Sequence, residues 1–418
     1  MNTFSAPTTD TLPTTEVPEF PMARATGCPF DPPPALRELR DRTPISRVRL
    51  WDGSEPWLIT RHEDQRALLG DPRISADTMQ PGYPHQSPGV KARREDAVSF
   101  ISMDDPEHAR QRRMVTAEFS IKRVEALRPA IQRIVDGLID DLLAGPKPAD
   151  LVQAFALPVP SLVICELLGV PYRDHEFFQS HSKVLISRST TAEESRAASA
   201  ELTDYLDRLL GEKLAHPADD LLSSLAERIT SGELTRRQAA NTGLILLIAG
   251  HETTANMIAL GTLALLEHPD QLARVRESED PKLIASTVEE LLRYLNIVHS
   301  GRRRAVLADV EIGGVTIRAG DGIVLANDIG NRDPDVFADP DSLDVARNPR
   351  RHIAFGFGVH QCLGQPLARV ELQVVYSTLY RRLPTLRLAT GIDQLPFKHD
   401  GIVYGVYELP VTWDGVAD

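Results

Sequence analysis

HIAFGFGVHQCLG, residues 352–364, places one cysteine, Cys362, behind spaced glycines and just ahead of a helical pattern. Gly356, Gly358 and Gly364 allow a tight loop and close approach of backbone to another body. The amides that open the following run, QPLARVELQVVYSTLYRRLP, point towards the sulfur and favour thiolate over thiol. Three roles stand open. Cys362 is a buried packing residue, a nucleophile paired with His360, or the ligand of a soft or borderline metal among Phe355, Phe357 and Leu363. One cysteine holds neither zinc nor an iron–sulfur cluster alone, but it suffices for an iron already held by a macrocycle.

The rest of the chain narrows the choice. It has 418 residues, a formal net charge of -13 and three cysteines, Cys28, Cys165 and Cys362, with no CxxC spacing. The acidic balance argues against nucleic acid or an anionic membrane as partner of the whole surface. The cysteine usage excludes a disulfide framework and suits a reducing compartment. Cys165, inside SLVICELLG, reads as core packing, and Cys28 is given no role. The Thr/Pro-rich start shows no signal-peptide or anchor pattern, so a flexible tail over 1–20 and a cytoplasmic protein are expected. WLIT (57–60) reads as a strand, RHEDQRALLGD as a short helix, and 75–100 as a long lid or binding loop. From Pro106 to about Glu267 apolar residues recur at helical spacing. One run, LTRRQAANTGLILLIAGHETTANMIALGTLALLEH, is unusually long, with Thr235 as its cap and His268-Pro269 as its stop. PKLIASTVEELLRYLN is a further helix. Beyond it, Gly313-Gly314 between two alternating runs signals a hairpin, NRDPDVFADPDSLDVARNPRR is a meander of turn residues, and ELPVTW is a strand candidate. The chain reads as mainly α with a small β portion, in one domain over 21–418.

Three constellations stand out. AGHETT (249–254) interrupts the apolar middle of the longest helix. It is not a zinc HExxH site, because Ala255 stands where the second histidine would fall. Either its threonines bond back to the preceding turn, or Thr253 draws the Ala249 carbonyl out of the helix ladder and opens a groove. His108 and Arg112 in PEHARQRR share a helix face, either as a clamp for an anionic group or as a solvated basic face. Glu290 and Arg293 in EELLR, three apart, read in isolation as an ordinary ion pair.

Together these stretches resemble a known family. FGFGVHQCLG resembles the haem-binding loop of the cytochromes P-450. AGHETT resembles that family's oxygen-activating segment, EELLR its ExxR pair, and PEHARQRR and NRDP its haem-edge helix and meander. The motifs fall in the family's order and cover roughly the whole chain after the tail. The resemblance implies a single-domain cytochrome P-450 fold whose long central helix crosses haem b (iron protoporphyrin IX). Cys362 is then the axial thiolate and metal ligand, which favours cleavage of the O–O bond. Ala249, Phe355 and Gly356 border the haem. His108, Arg112, Arg304 and His352 match the residues that pair with its propionates, with the register among Arg302, Arg303 and Arg304 open. Glu290, Arg293 and Arg347 match a structural ion-pair network, and Glu252 and Thr253 the acid–alcohol pair that delivers protons.

No flavin or nicotinamide fingerprint is visible, so the reductant is expected to be a ferredoxin with its NAD(P)H-dependent reductase. Arg110, Arg113, Lys122, Arg123 and Arg369 are candidates for a basic docking patch on an otherwise acidic monomer. ISMDDPEHARQRRMV and FALPVPSLVICELLGVPYRDHEFFQ are similar to soluble actinobacterial members that hydroxylate xenobiotics, polyketides and terpenoids. Met79, Val90, Leu244, Ala249, Ile297, Val298 and Val403 are the expected substrate-lining residues. A peroxide-driven peroxygenase and a non-catalytic haem-based binding or sensor protein are the rival functions.

Overall fold

The longest helix begins where its cap is written. In the computed structural model, which describes residues 17–415 apart from 26, 93 and 95–97, the Thr235 hydroxyl accepts the Gln238 N–H. The Gln238 side chain returns the bond to the Thr235 N–H at 2.9 Å, a closed capping box. The central helix then runs unbroken over Arg236–Leu266. It is long and apolar enough to cross a bilayer, but 72% of its most apolar stretch is buried inside the fold, so the core consumes that apolar surface. Pro158–Leu168, Ala192–Ala215, Leu221–Thr230 and Gln365–Arg382 pack around it. One core cluster carries side chains from Phe30 through to Trp413.

The β portion is small. Five strands, β1 (Ile45–Arg47), β2 (Trp57–Ile59), β3 (Ile74–Ser75), β4 (Arg302–Val306) and β5 (Gly322–Leu325), form one sheet in the order β1-β2-β5-β4-β3. Only the β2–β5 pairing is parallel. The expected hairpin pairs Val310–Ile312 with Val315–Ile317. Gly313 (φ 54°) and Gly314 (φ 77°) both sit in the left-handed region that a two-residue primed turn requires. ELPVTW supplies Pro410–Thr412, paired with Ala149–Asp150 and Arg387–Leu388.

Two expectations change. Part of the segment expected as a tail over 1–20 is packed: Phe20 is buried, and its N–H reaches Arg49 O at 2.9 Å while Arg49 N–H reaches Pro18 O at 2.8 Å. Residues 1–16 lie outside the described residues. The loop expected over 75–100 contains a short helix, Pro88–Ala92, pressed against Ala192–Ala215. Gly89 makes that approach feasible, because a Cβ there would lie 3.2 Å from Ser195 Cβ.

The meander is held by charge. Glu290 and Arg293, on the ExxR helix Pro281–Leu295, form a doubly hydrogen-bonded pair at 2.8 Å with both side chains fully buried. Arg347 adds a third partner to Glu290 at 3.0 Å. Arg293 spends its remaining donors on the carbonyls of Asn331, Pro340 and Ser342, and Asp344 N–H returns to Glu290. Replacing Arg293 by Ala strands a buried carboxylate and unties the meander. We expect a loss of about 3–5 kcal/mol in urea unfolding. A loss below about 1 kcal/mol would mean that the triad does not hold the fold.

Candidate active site

The cysteine loop is shaped by two glycines and a backbone bond. Cys362 N–H donates to Phe355 O at 2.9 Å and folds the loop on itself. Gly356 (φ 76°) faces Arg302, where a Cβ would come within 2.8 Å of Nε. Gly358 (φ 74°) lies so close to Leu69 O that a Cβ would clash at 2.3 Å. The Cys362 side chain is open by surface area, yet burial pushes its thiol up, as for a group in an interior recess rather than bulk water. The Gly364 N–H and the guanidinium groups of Arg302, Arg112 and Arg369 oppose that rise. Among the described residues, no cluster of three His, Cys, Asp or Glu side chains stands ready to hold a bare metal ion.

On the central helix, most residues between 239 and 265 are buried. Ile245, Ile248, Ala249 and Thr253 are not; they form an open stripe at helical spacing, with Ala249 exposed. Partly buried apolar groups from elsewhere, Ala354, Phe355, Leu363, Val298 and Val403, pack against the same core. Tyr404 N–H donates to Ile297 O at 2.8 Å and draws Val403 alongside Ile297 and Val298. The Thr253 hydroxyl donates to Ala249 O at 2.8 Å within an uninterrupted helix. That bond back to the preceding turn belongs to both readings of AGHETT, and the helix continues through it.

A second group of residues gathers positive charge. His108 is buried, its Nδ1–H donates to the Asp105 carboxylate, and its Nε2 has no partner. The His360 ring lies 4.1 Å from the His108 ring, tilted by 39°. Burial and then Arg304, His108 and Arg112 push its pKa down to about 3. Side chains alternate along β4: Arg303 points inward to the carbonyls of Pro84 and His85, while Arg302 and Arg304 share the opposite face. Arg302 braces the cysteine loop through Ala354 O at 2.8 Å, and Arg304 lies near His360. An orphaned buried imidazole nitrogen amid several cations fits a group with two carboxylates, and one cysteine beside them fits its iron.

Several expected site residues sit elsewhere. His352 is occupied: its Nδ1 accepts the Ala354 N–H and its Nε2 bonds Glu289 at 3.0 Å, so no ring nitrogen remains for a propionate. His360, from the H-x-C spacing in GVHQC, is the histidine of this loop that lies beside His108. Leu244 is core, one residue out of phase with the open stripe that Ile245 leads. Met79 sits on a surface turn, 45% exposed. Ile297 is buried core, while Val90 is half-buried on the Pro88–Ala92 helix. The basic patch is weaker than expected. Arg110 pairs with Glu107, Arg123 with Glu118 and Asp219, and Arg369 with Glu289, which leaves Arg113 and Lys122 without an ion pair among the described residues.

Glu252 is the largest departure. It is buried beside the open stripe, its Oε1 bonded to Lys398 at 2.8 Å and to Asn256 at 3.0 Å. Burial raises its pKa, but Lys398, joined by His251 and Asn256, outweighs this and holds the carboxyl below its usual range. Nothing in AGHETT points to a lysine so far along the chain. Gly405 lets the C-terminal loop come this near, because a Cβ there would overlap Asn256 Oδ1 at 1.7 Å.

Comparison with known proteins gives the class. A family model described as Cytochrome P450 matches residues 174–387. The chain is similar to cytochrome P450 GfsF of Streptomyces halstedii, 59% identical over 96% of this chain and 97% of that one. It is 48% identical to a vitamin D3 dihydroxylase of Streptomyces griseolus, over 97% and 99% of the two chains. It superposes on the mycinamicin VIII C21 methyl hydroxylase MycCI of Micromonospora griseorubida, bound to mycinamicin VIII. The TM-score there is 0.89 at 42% identity, over 95% of this chain and all of that one. The chain belongs to the cytochrome P450 family and is a haem-thiolate monooxygenase of the bacterial type. Members of this class draw electrons from redox partners and oxidise hydrophobic substrates.

Replacing Lys398 by Met leaves the burial of Glu252 uncompensated, so its pKa rises. Infrared spectra at neutral pH should then show a protonated carboxyl band in addition to that of Glu371, which burial pushes up to about 8 and keeps protonated in wild type, and adding Glu252→Gln removes the new band. If the band is missing in Lys398→Met, the ion pair does not control this acid.

Proposed function

We propose that this enzyme inserts one oxygen atom of dioxygen into a hydrophobic small molecule of the polyketide, terpenoid or xenobiotic kind. Electrons come from a ferredoxin and its NAD(P)H-dependent reductase, and the enzyme works as a cytoplasmic monomer. The observation that carries the substrate reading is the apolar, incompletely buried lining given by Ile245, Ile248, Ala249, Val298 and Val403.

Cys362 would hold the iron of haem b. His108, Arg112, Arg304 and His360 would hold its propionates, with Arg302 bracing the loop behind. When bound, haem supplies the oxidative chemistry, and the protein supplies orientation and proton delivery. Thr253 lies on the open stripe with its hydroxyl proton on Ala249 O. Rotation about χ1 re-aims that proton at a water or oxygen atom in the recess. Glu252, one residue before it, holds no proton while Lys398 is bonded to Oε1. It gains one only when that contact loosens. Two groups, one holding and one refilling the proton, give a relay across a dry interior.

Thr253→Ala should uncouple the reaction. Reductant consumption persists, product per reductant falls at least about tenfold, and peroxide appears instead. Thr253→Ser should restore coupling. Full coupling in Thr253→Ala would remove this hydroxyl from the relay. Turnover with peroxide alone, and none with ferredoxin and reductase, would replace the dioxygen reading by a peroxygenase.

A further inference from the structure

A surface cleft of about 360 Å³, separate from the residues above, is lined by Trp51, Pro88, Lys91, Ala92, Arg94 and Arg196. Three of these six are cations on a protein whose formal charge is -13. Among the described residues a single carboxylate approaches them: Asp52, 3.5 Å from Lys91 Nζ. Arg94 instead donates to His85 Nε2 at 3.4 Å, and Arg196 to the Ala92 carbonyl at 3.1 Å. His85 reports the local potential: burial, Arg94 and Lys91 push its pKa down to about 4, so it stays neutral and cancels nothing. Among the described residues that line it, the cleft keeps an excess of positive charge in a concave setting, where field is focused.

The fourth element is aromatic. Trp51 is 44% exposed, an unusual position for an indole. Its N–H donates to His85 O at 3.0 Å, which fixes the ring, and Lys91 Nζ stands 5.8 Å from the ring centroid. A fixed, open indole beside cations offers an apolar face next to an anion site. The volume lies near the lower end for small-molecule pockets, enough for a head group and a short chain but not a macrocycle.

We propose that this cleft binds the carboxylate end of an amphipathic small molecule. The head group sits among Lys91, Arg94 and Arg196, and the first carbons lie on Trp51. The cleft joins two elements: Lys91 belongs to the Pro88–Ala92 helix, whose Val90 was an expected substrate contact, and Arg94 follows it, while Arg196 belongs to Ala192–Ala215. Ser195 Oγ–H already donates to Gly89 O across that seam at 3.2 Å. An anion bridging Lys91 and Arg196 ties the seam more tightly and tethers an acidic substrate beside this helix. That last step, substrate delivery, rests on the proposed function; the binding itself does not.

The test is calorimetric titration of the holoenzyme, its haem side capped by a tight azole, with octanoate and separately with octanol. Octanoate should bind, more weakly as salt rises, and octanol should not match it. Lys91→Gln/Arg196→Gln should lose at least tenfold in octanoate affinity, and Trp51→Ala should weaken it as well. Equal binding of acid and alcohol, or an unchanged double variant, overturns the proposal. So does binding to phosphatidylglycerol vesicles without binding of octanoate, which would make the cleft a lipid-surface contact. The readout is heat of binding with the haem capped, so a negative result leaves the monooxygenase reading standing. Failure of that reading would leave this titration unaffected.

Discussion

A buried carboxylate sets the terms for the rest of the fold. Glu290 has no access to water, and a charge there is tolerable only while Arg293 and Arg347 share it and the Asp344 N–H completes its shell. Arg293 and Arg347 in turn reach the carbonyls of the meander, irregular chain that would otherwise carry unsatisfied groups in the interior. The meander runs straight into the cysteine loop, so the helix bearing Glu290 fixes where Cys362 begins its turn. The neighbouring Glu289 continues the job, gripping His352 and Arg369 at either end of that loop.

From that anchor the recess is assembled by elements that do not know one another in sequence. The cysteine loop supplies sulfur, β4 supplies Arg302 and Arg304, the Glu107–Thr116 helix supplies His108 and Arg112, and the central helix supplies an apolar stripe ending in Thr253. Charge is segregated: cations gather around the His108–His360 pair, while the stripe carries none. The acid nearest the stripe is neutralised by Lys398 from the C-terminal loop, which also carries Val403. A contact at Val403 is therefore five residues along one loop from the partner of Glu252, so filling of the recess and release of the acid are mechanically close.

Much of this was legible in sequence where the signal is local. The Thr235 cap, the Gly313-Gly314 turn and the helical periodicities reappear almost residue for residue, because capping and turn chemistry act over a few positions. The glycine–cysteine loop and the ExxR pair were legible as motifs. What was lost depends on phase or distance. RRRAV was not read as a strand, since three successive arginines hide the alternation that sends Arg303 inward. Leu244 was chosen over Ile245 because a step of one residue turns a helix by about 100°. His352 and His360 both lie on the cysteine loop, and the partner that occupies His352, Glu289, is far away in sequence. Lys398 had no signal at all.

The central claim is that Cys362 alone ligates the iron. The most direct measurement is the spectrum of the reduced, carbon-monoxide-bound protein, taken for wild type and for Cys362→His. Wild type should give the red-shifted Soret band of a thiolate-ligated haem. The variant should retain haem at its propionate contacts but show the band of imidazole ligation. A thiolate-type band surviving in Cys362→His would contradict the account.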